Sequence, residues 1–258
     1  MEGGGGVKKL TYCFEQDHVA NTLKNTAVHG LAVVDTEGCE SAVRDAVKRG
    51  VWVYGYLNAG ALESERSYYN RFKHLRLAPY EGWDGEYWVD VTDKAWQDHL
   101  ITQAKKINEL GAIGLYLDNT DVYYMCCGHL KRVMNTVPKA QDVYKALAQV
   151  VYIIQKGVGL IVMPNGGDSF VRRFITQYPG IIQTINQEGL FYEDFKKQPK
   201  SETAYRKEYM KWAAAHVKGK IRGIEYCKKP SEIAKVKTYY AAHGWDVYIS
   251  KHKDLKGD

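Results

Sequence analysis

The chain has 258 residues, 45% of them hydrophobic and 26% charged, an ordinary globular composition. The length matches one (β/α)8 barrel of roughly 250 residues, so a full core forms without a metal or disulfide staple. The net charge of +6 is concentrated between Lys196 and Lys229, with no nucleic-acid motif beside it, and the lack of any run of about 18 apolar residues excludes a transmembrane helix.

Met1 to Gly6 reads as a leader, so residues 1–8 are set apart from a single barrel over residues 9–251 and a polar tail over 252–258. Nine apolar, β-rich runs follow: Lys9–Phe14, Gly30–Asp35, Val51–Leu57, Tyr87–Val91, Ile113–Asp118, Gly159–Pro164, Ile181–Asn186, Ile221–Cys227 and Asp246–Ser250. Most are hydrophobic throughout, as parallel strands covered on both faces are. Helical stripes separate them. One carries Trp96, Leu100, Ala104, Ile107 and Leu110, with Thr92 as cap and Gly111 as stop. A second begins near Pro138 and ends at Gly157; a third carries Tyr205, Tyr209, Trp212, Ala213 and Val217. Repeated strand–helix alternation predicts an α/β fold, a single (β/α)8 TIM-type barrel. Nine runs are one too many for the ring, so either the Tyr87 run or the last run lies outside it; an open doubly wound sheet is the competing architecture.

Polar residues recur where the runs end. Asp35 and Glu37 follow the second, Asn58, Glu63, Glu65 and Arg66 the third, and Asp90 ends the fourth. Asp118, Asn119 and Asp121 close the fifth. Asn165 and Asp168 follow the sixth, Asn186, Gln187 and Glu188 close the seventh, and Glu225 and Tyr226 close the eighth. Any one of these is adequately explained as a turn or cap residue. Acids after most strands of one barrel share the rim where active sites are built, giving a molecule basic in total and acidic at its mouth. Twenty tyrosines add flat apolar bodies with polar tips, a surface that matches sugar rings.

Asp118 ends the apolar run Ile113-Gly114-Leu115-Tyr116-Leu117, and Glu188 closes Ile181-Ile182-Gln183-Thr184-Ile185. Partial burial there raises a carboxyl pKa and keeps a proton available for donation. Two carboxyls flanking a glycosidic bond are what glycoside hydrolysis requires.

Five ordered motifs carry a resemblance: Tyr54-Gly55-Tyr56-Leu57-Asn58-Ala59-Gly60 with Glu63 and Arg66, Tyr87-Trp88-Val89-Asp90-Val91, Gly111 to Asp121 with its Leu-Asp-Asn-x-Asp segment, Met163-Pro164-Asn165-Gly166-Gly167, and Asn186-Gln187-Glu188-Gly189-Leu190-Phe191. The sequence resembles glycoside hydrolase family 114, the endo-α-1,4-polygalactosaminidase group, over about residues 9 to 250. The resemblance implies a catalytic barrel, a polysaccharide substrate containing galactosamine or N-acetylgalactosamine, and catalysis by Asp118 and Glu188 without metal or other cofactor. Asp35, Asn58, Glu63, Arg66, Trp88, Asp90, Asn119, Asp121, Asn165 and Tyr226 are the expected substrate-binding residues. Asp118 is the expected nucleophile or stabilising carboxylate and Glu188 the general acid/base. Cys13-Phe14-Glu15 and Met125-Cys126-Cys127 depart from the family pattern.

Other chemistries lack their residues. There is no HExxH pair, no GxSxG elbow and no GxxxxGK[ST] loop, and Asp118-Asn119-Thr120-Asp121 lacks the rest of a calcium hand. Five cysteines leave at least one thiol outside any bridge; buried, inert thiols are favoured over a Cys13–Cys227 bridge. A monomer acting outside the cell or at its surface, with no nucleic-acid partner, is expected. The competing readings are a hydrolase of another α-linked amino-sugar glycan and a carbohydrate-binding barrel without turnover.

Overall fold

The structure, a computed structural model, describes residues 8–134 and 136–257; the expected leader falls almost wholly outside them. Among the described residues the strands are, in chain order, β1 (Lys8–Cys13), β2 (Thr26–Val34), β3 (Trp52–Asn58), β4 (Ala61–Glu63), β5 (Arg76–Pro79), β6 (Glu86–Val89), β7 (Gly114–Asp118), β8 (Ile161–Pro164), β9 (Ile185–Glu188), β10 (Tyr192–Glu193), β11 (Lys196–Lys197), β12 (Ile221–Tyr226) and β13 (Asp246–Ser250).

Eight of them are parallel and make the TIM-type barrel. β1, β2, β3, β7 and β8 pair in that order, as do β9, β12 and β13. A parallel bridge between Asn165 and Asn186 joins the two arcs. At the other seam the Tyr12 and Tyr248 rings meet at 5.3 Å. Of the two candidates for the surplus strand, the Tyr87 run is the one outside: β6 pairs antiparallel with β4 and β5 in a small sheet over the rim. A second hairpin, β10 with β11, also stands on the rim.

Side chains on a strand alternate between faces, and the inward set here is unusually tyrosine-rich. Tyr12, Tyr54, Tyr116, Tyr226 and Tyr248 pack with Leu31, Val33, Met163, Ile224 and Leu255 inside the barrel. The outward set packs under the helices in a larger apolar core. Gly114 is required at its position, because a Cβ there would collide with the Tyr54 ring. Leu255, expected in a polar tail, is buried, and its carbonyl accepts from the Phe14 N–H at 2.9 Å.

Some helix ends differ from expectation. The helix Lys94–Glu109 is capped by Asp93, whose carboxylate accepts from the N–H groups of Ala95 and Trp96 at 2.8 and 3.1 Å. Thr92, the expected cap, instead donates to Asp90. Gly111, with φ +87°, supplies the expected stop. The helix Ala140–Ile153 starts after Pro138 and continues as a π turn over Ile154–Val158, so Gly159 at φ +90° ends it rather than Gly157. All five cysteines are free thiols; Cys13, Cys126 and Cys227 are buried.

Candidate active site

Strand register brings the strand-end residues to one level. Asn58 lies opposite Asp118 on β3 and β7, Leu117 opposite Pro164 on β7 and β8, and Ile224 opposite Glu188 on β12 and β9. The inward alternation then places Asp118 above Tyr116 and Glu188 above Asn186, both facing a cavity of about 540 Å³ at the rim.

One side chain links the two carboxyls. The Asn165 amide donates to Asp118 Oδ1 at 3.1 Å and to Glu188 Oε2 at 3.0 Å, which caps the gap between those oxygens at about 6 Å. The orientation of that amide is set from below. Asn186 Nδ2 donates to Asn165 Oδ1 at 2.8 Å, and Tyr12 Oη donates to Asn186 Oδ1 at 2.9 Å. A buried, fully partnered chain of this kind fixes geometry.

The two carboxyls differ in their surroundings. Asp118 Oδ1 also accepts from the Asn119 N–H at 3.0 Å, and Tyr56 Oη donates to Oδ2 at 3.4 Å. Burial raises its pKa to about 6; the hydrogen bonds from Asn165 and Asn119 oppose that rise, and the charges of Asp121 and Glu63 add to it. Glu188 accepts from Tyr226 Oη. Burial and then the Asp118 charge raise it to about 7, against the pull of Tyr226 and Asn165. Glu86 on β6 faces the same cavity and is raised to about 8 by burial and by the charges of Glu63 and Asp118. Asp121 is raised to about 6 by burial and by Asp168.

The floor beside Asp118 is a buried ionic cluster. Arg66 Nε pairs with Glu63, and its Nη1 reaches Asp35 at 2.5 Å and Glu37 at 3.3 Å. Asn58 Nδ2 donates to Glu63 at 2.8 Å, and Asn58 Oδ1 accepts from Asn119 Nδ2 at 3.1 Å. Asn119 is left-handed at φ +59°. Gly60 packs against its carbonyl so closely that a Cβ would overlap the oxygen. On the other side Arg206 Nη1 donates to the carbonyls of Glu188 and Gly189 at 2.6 and 3.0 Å, and the guanidinium pairs with Glu193 at 3.1 Å and Glu202 at 2.6 Å.

Of the residues expected here, Asp118, Glu188, Glu63, Arg66, Asn119, Asp121, Asn165 and Tyr226 line the cavity together. Asp35 and Asn58 line an adjoining cavity of about 350 Å³ and reach the site through Arg66 and Glu63. Trp88 and Asp90 line neither cavity. Trp88 is buried in the β4–β6–β5 sheet and stacks on Tyr80 at 4.5 Å, while Asp90 accepts from Thr92. Glu225 points outward beneath the helices, where the Phe191 and Tyr192 N–H groups and Tyr240 Oη donate to it. Tyr56, Glu86, Trp83, Arg206 and Lys253 line the cavity but were not among the expected residues. Tyr56 lies within the Tyr54–Gly60 motif; the others sit in segments whose approach to the rim leaves no periodic trace.

The family model of glycoside-hydrolase family GH114 matches residues 8–256. The chain belongs to this family. Members of GH114 are glycoside hydrolases, and the paired carboxyls at the rim are groups suited to that chemistry. An uncharacterized protein of Thermotoga maritima is 24% identical over 230 residues, 81% of this chain and 70% of that protein. The glycoside hydrolase domain of PelA from Pseudomonas aeruginosa has the same fold, with TM-score 0.74, 16% identity and 98% of each chain covered. So does Aspergillus fumigatus Ega3, solved in complex with galactosamine, with TM-score 0.69, 13% identity, and 100% of this chain and 96% of that one covered. No helix among the described residues is long and apolar enough to cross a membrane.

Proposed function

We propose that this GH114 protein hydrolyses α-1,4-linked polysaccharide containing galactosamine, by a two-step mechanism that retains the anomeric configuration. The observation that carries this reading is the Asn165 bridge. Retaining pairs stand about 5–5.5 Å apart and inverting pairs about 6.5–9.5 Å, and oxygens held within about 6 Å by one amide fit the former.

In the first step Glu188, protonated, gives its proton to the glycosidic oxygen as the C1–O bond breaks, and the Asp118 carboxylate attacks C1 from the opposite face. In the second, ionised Glu188 takes a proton from water, the water oxygen attacks C1, and the bond to Asp118 breaks. The pKa ordering of about 6 and about 7 supports these roles. Among the described residues, thirteen acidic side chains but only Arg66, Arg206 and Lys253 as cations line the cavity, which favours a free-amine polymer over an acetylated one. A polymeric substrate would place the work outside the cell or at its surface.

Incubation with galactosamine polymer should release oligosaccharides, and NMR of the first product should detect the α anomer. Asp118→Asn and Glu188→Gln should each lower kcat by at least about a thousandfold, on the scale of losing one essential catalytic group, with the fold intact by circular dichroism. Full activity in either variant rejects the assignment, and a β first product rejects retention.

A further inference from the structure

Three segments that are distant in sequence meet at one edge of the cavity: the loop between β5 and β6 carrying Trp83, the β10–β11 turn carrying Asp194, and the C-terminal tail carrying Lys253. Lys253 Nζ lies 4.9 Å from the Trp83 ring centroid and 3.2 Å from Asp194 Oδ2. Those lengths cap the distance from the indole to the carboxylate at about 8 Å. Trp83 is 43% exposed, so a large apolar ring faces solvent where a sugar face would find it.

The lysine makes the two contacts that a protonated hexosamine would make, a cation against an aromatic face and an ammonium against a carboxylate. Among the described residues it is also the one cavity cation that is easily released. Arg66 and Arg206 have side chains only 12% and 19% exposed, and each holds at least two carboxylates. Lys253 and Asp194 are each 45% exposed, and such half-exposed ion pairs are weak. The backbone under Lys253 is fixed, because Leu255 is buried in the barrel interior with its carbonyl bonded to Phe14, and Cys13 Sγ donates to the Lys256 carbonyl at 3.2 Å. Only the lysine side chain has to swing. The turn itself holds Asp194 and Phe195 at φ +48° and +61°, a strained choice for non-glycine residues, and Phe195 is held edge-on to Tyr226 at 5.9 Å. That contact ties the turn to the partner of Glu188.

We propose that Trp83 and Asp194 form a peripheral subsite for an amine-bearing sugar unit, occupied by Lys253 in the free protein and vacated when an aminated chain binds. The sugar class rests on the galactosamine reading above; the plug itself rests on the three side chains. The test is titration calorimetry of a galactosamine tetrasaccharide and its fully N-acetylated counterpart against the Glu188→Gln protein, with Lys253→Met and Trp83→Ala added singly and together. Cation–π and exposed ion-pair energies convert to about two- to tenfold in affinity. Lys253→Met is expected to tighten tetrasaccharide binding by that factor and to leave the acetylated chain unaffected. Adding Trp83→Ala should cancel the gain. Unchanged or weaker binding by Lys253→Met, or a gain that survives Trp83→Ala, overturns the plug. Turnover of the polymer by the unaltered protein reports separately on Asp118 and Glu188. Turnover without a Lys253 effect overturns the subsite alone, a Lys253 effect without turnover overturns the hydrolase reading alone, and no binding by any variant together with no turnover overturns both.

Discussion

At the residue scale, environment separates two chemically similar groups. Asp118 receives a backbone N–H as well as the Asn165 amide, while Glu188 sits under a neighbouring negative charge. Under the proposed roles, with Asp118 ionised and Glu188 protonated, kcat/KM should rise through about pH 6 and fall through about pH 7. Tyr226 lowers the pKa of Glu188 by hydrogen bonding to its charged form. Tyr226→Phe should therefore move the falling limb to higher pH, and a limb that stays or moves down counts against the assignment. The same shift has a consequence for stability. A carboxyl raised in the folded state contributes most below its unfolded pKa of about 4.3 and loses that contribution as pH rises through the folded value, about 7 here. Glu188→Gln should thus be more stable than the unaltered protein at pH 8 by about 1–3 kcal/mol and show no such gain at pH 4, measured by denaturant unfolding. Arg66 is the opposite case. Truncating it to Ala leaves Asp35 and Glu63 facing each other in a buried site, at a cost of about 3–5 kcal/mol.

At the element scale, alternation along the strands decides which side chains face the cavity. β7 sends Gly114, Tyr116 and Asp118 inward and Leu115 and Leu117 to the helices; β12 sends Ile224 and Tyr226 inward and Glu225 outward. Adjacent residues in the sequence thus have unrelated roles, and Glu225 is an acid at a strand end that never faces the cavity. Terminal caps matter only for stability. Asp93→Ala removes the acceptor for two helix N–H groups and should lower unfolding free energy by about 1 kcal/mol without changing kcat. Gly60→Ala is different, since the new methyl overlaps the Asn119 carbonyl. It should lower both melting temperature and kcat, because Asn119 donates its N–H to Asp118.

At the scale of the whole molecule, the barrel is basic outside and acidic at its mouth. The proposed aminated polymer would be drawn by the near field of the cavity, which salt screens over about 10 Å at 0.1 M. Raising ionic strength should therefore raise KM for the free-amine polymer; a KM indifferent to salt removes that argument. The C-terminal tail belongs to the same design, since Leu255 fills the barrel interior and Lys253 borders the cavity. Deleting residues 252–258 should cost about 2 kcal/mol from Leu255 burial alone, measured by thermal unfolding.

The sequence alone determined the strand–helix alternation, the ring of polar strand ends and the family resemblance, and it named Asp118 and Glu188 as the candidate pair, because hydrophobic periodicity and contiguous motifs are local properties of the chain. Tertiary structure decided the rest. Only strand register made Asn165 the bridge between Asp118 and Glu188. Only the antiparallel placement of β6 took Trp88 out of the cavity while bringing Glu86 into it. Only the return of the tail to β1 put Lys253 beside Trp83 and Asp194. Each of these depends on contacts between residues far apart in the chain, and distance in space has no counterpart in the order of residues.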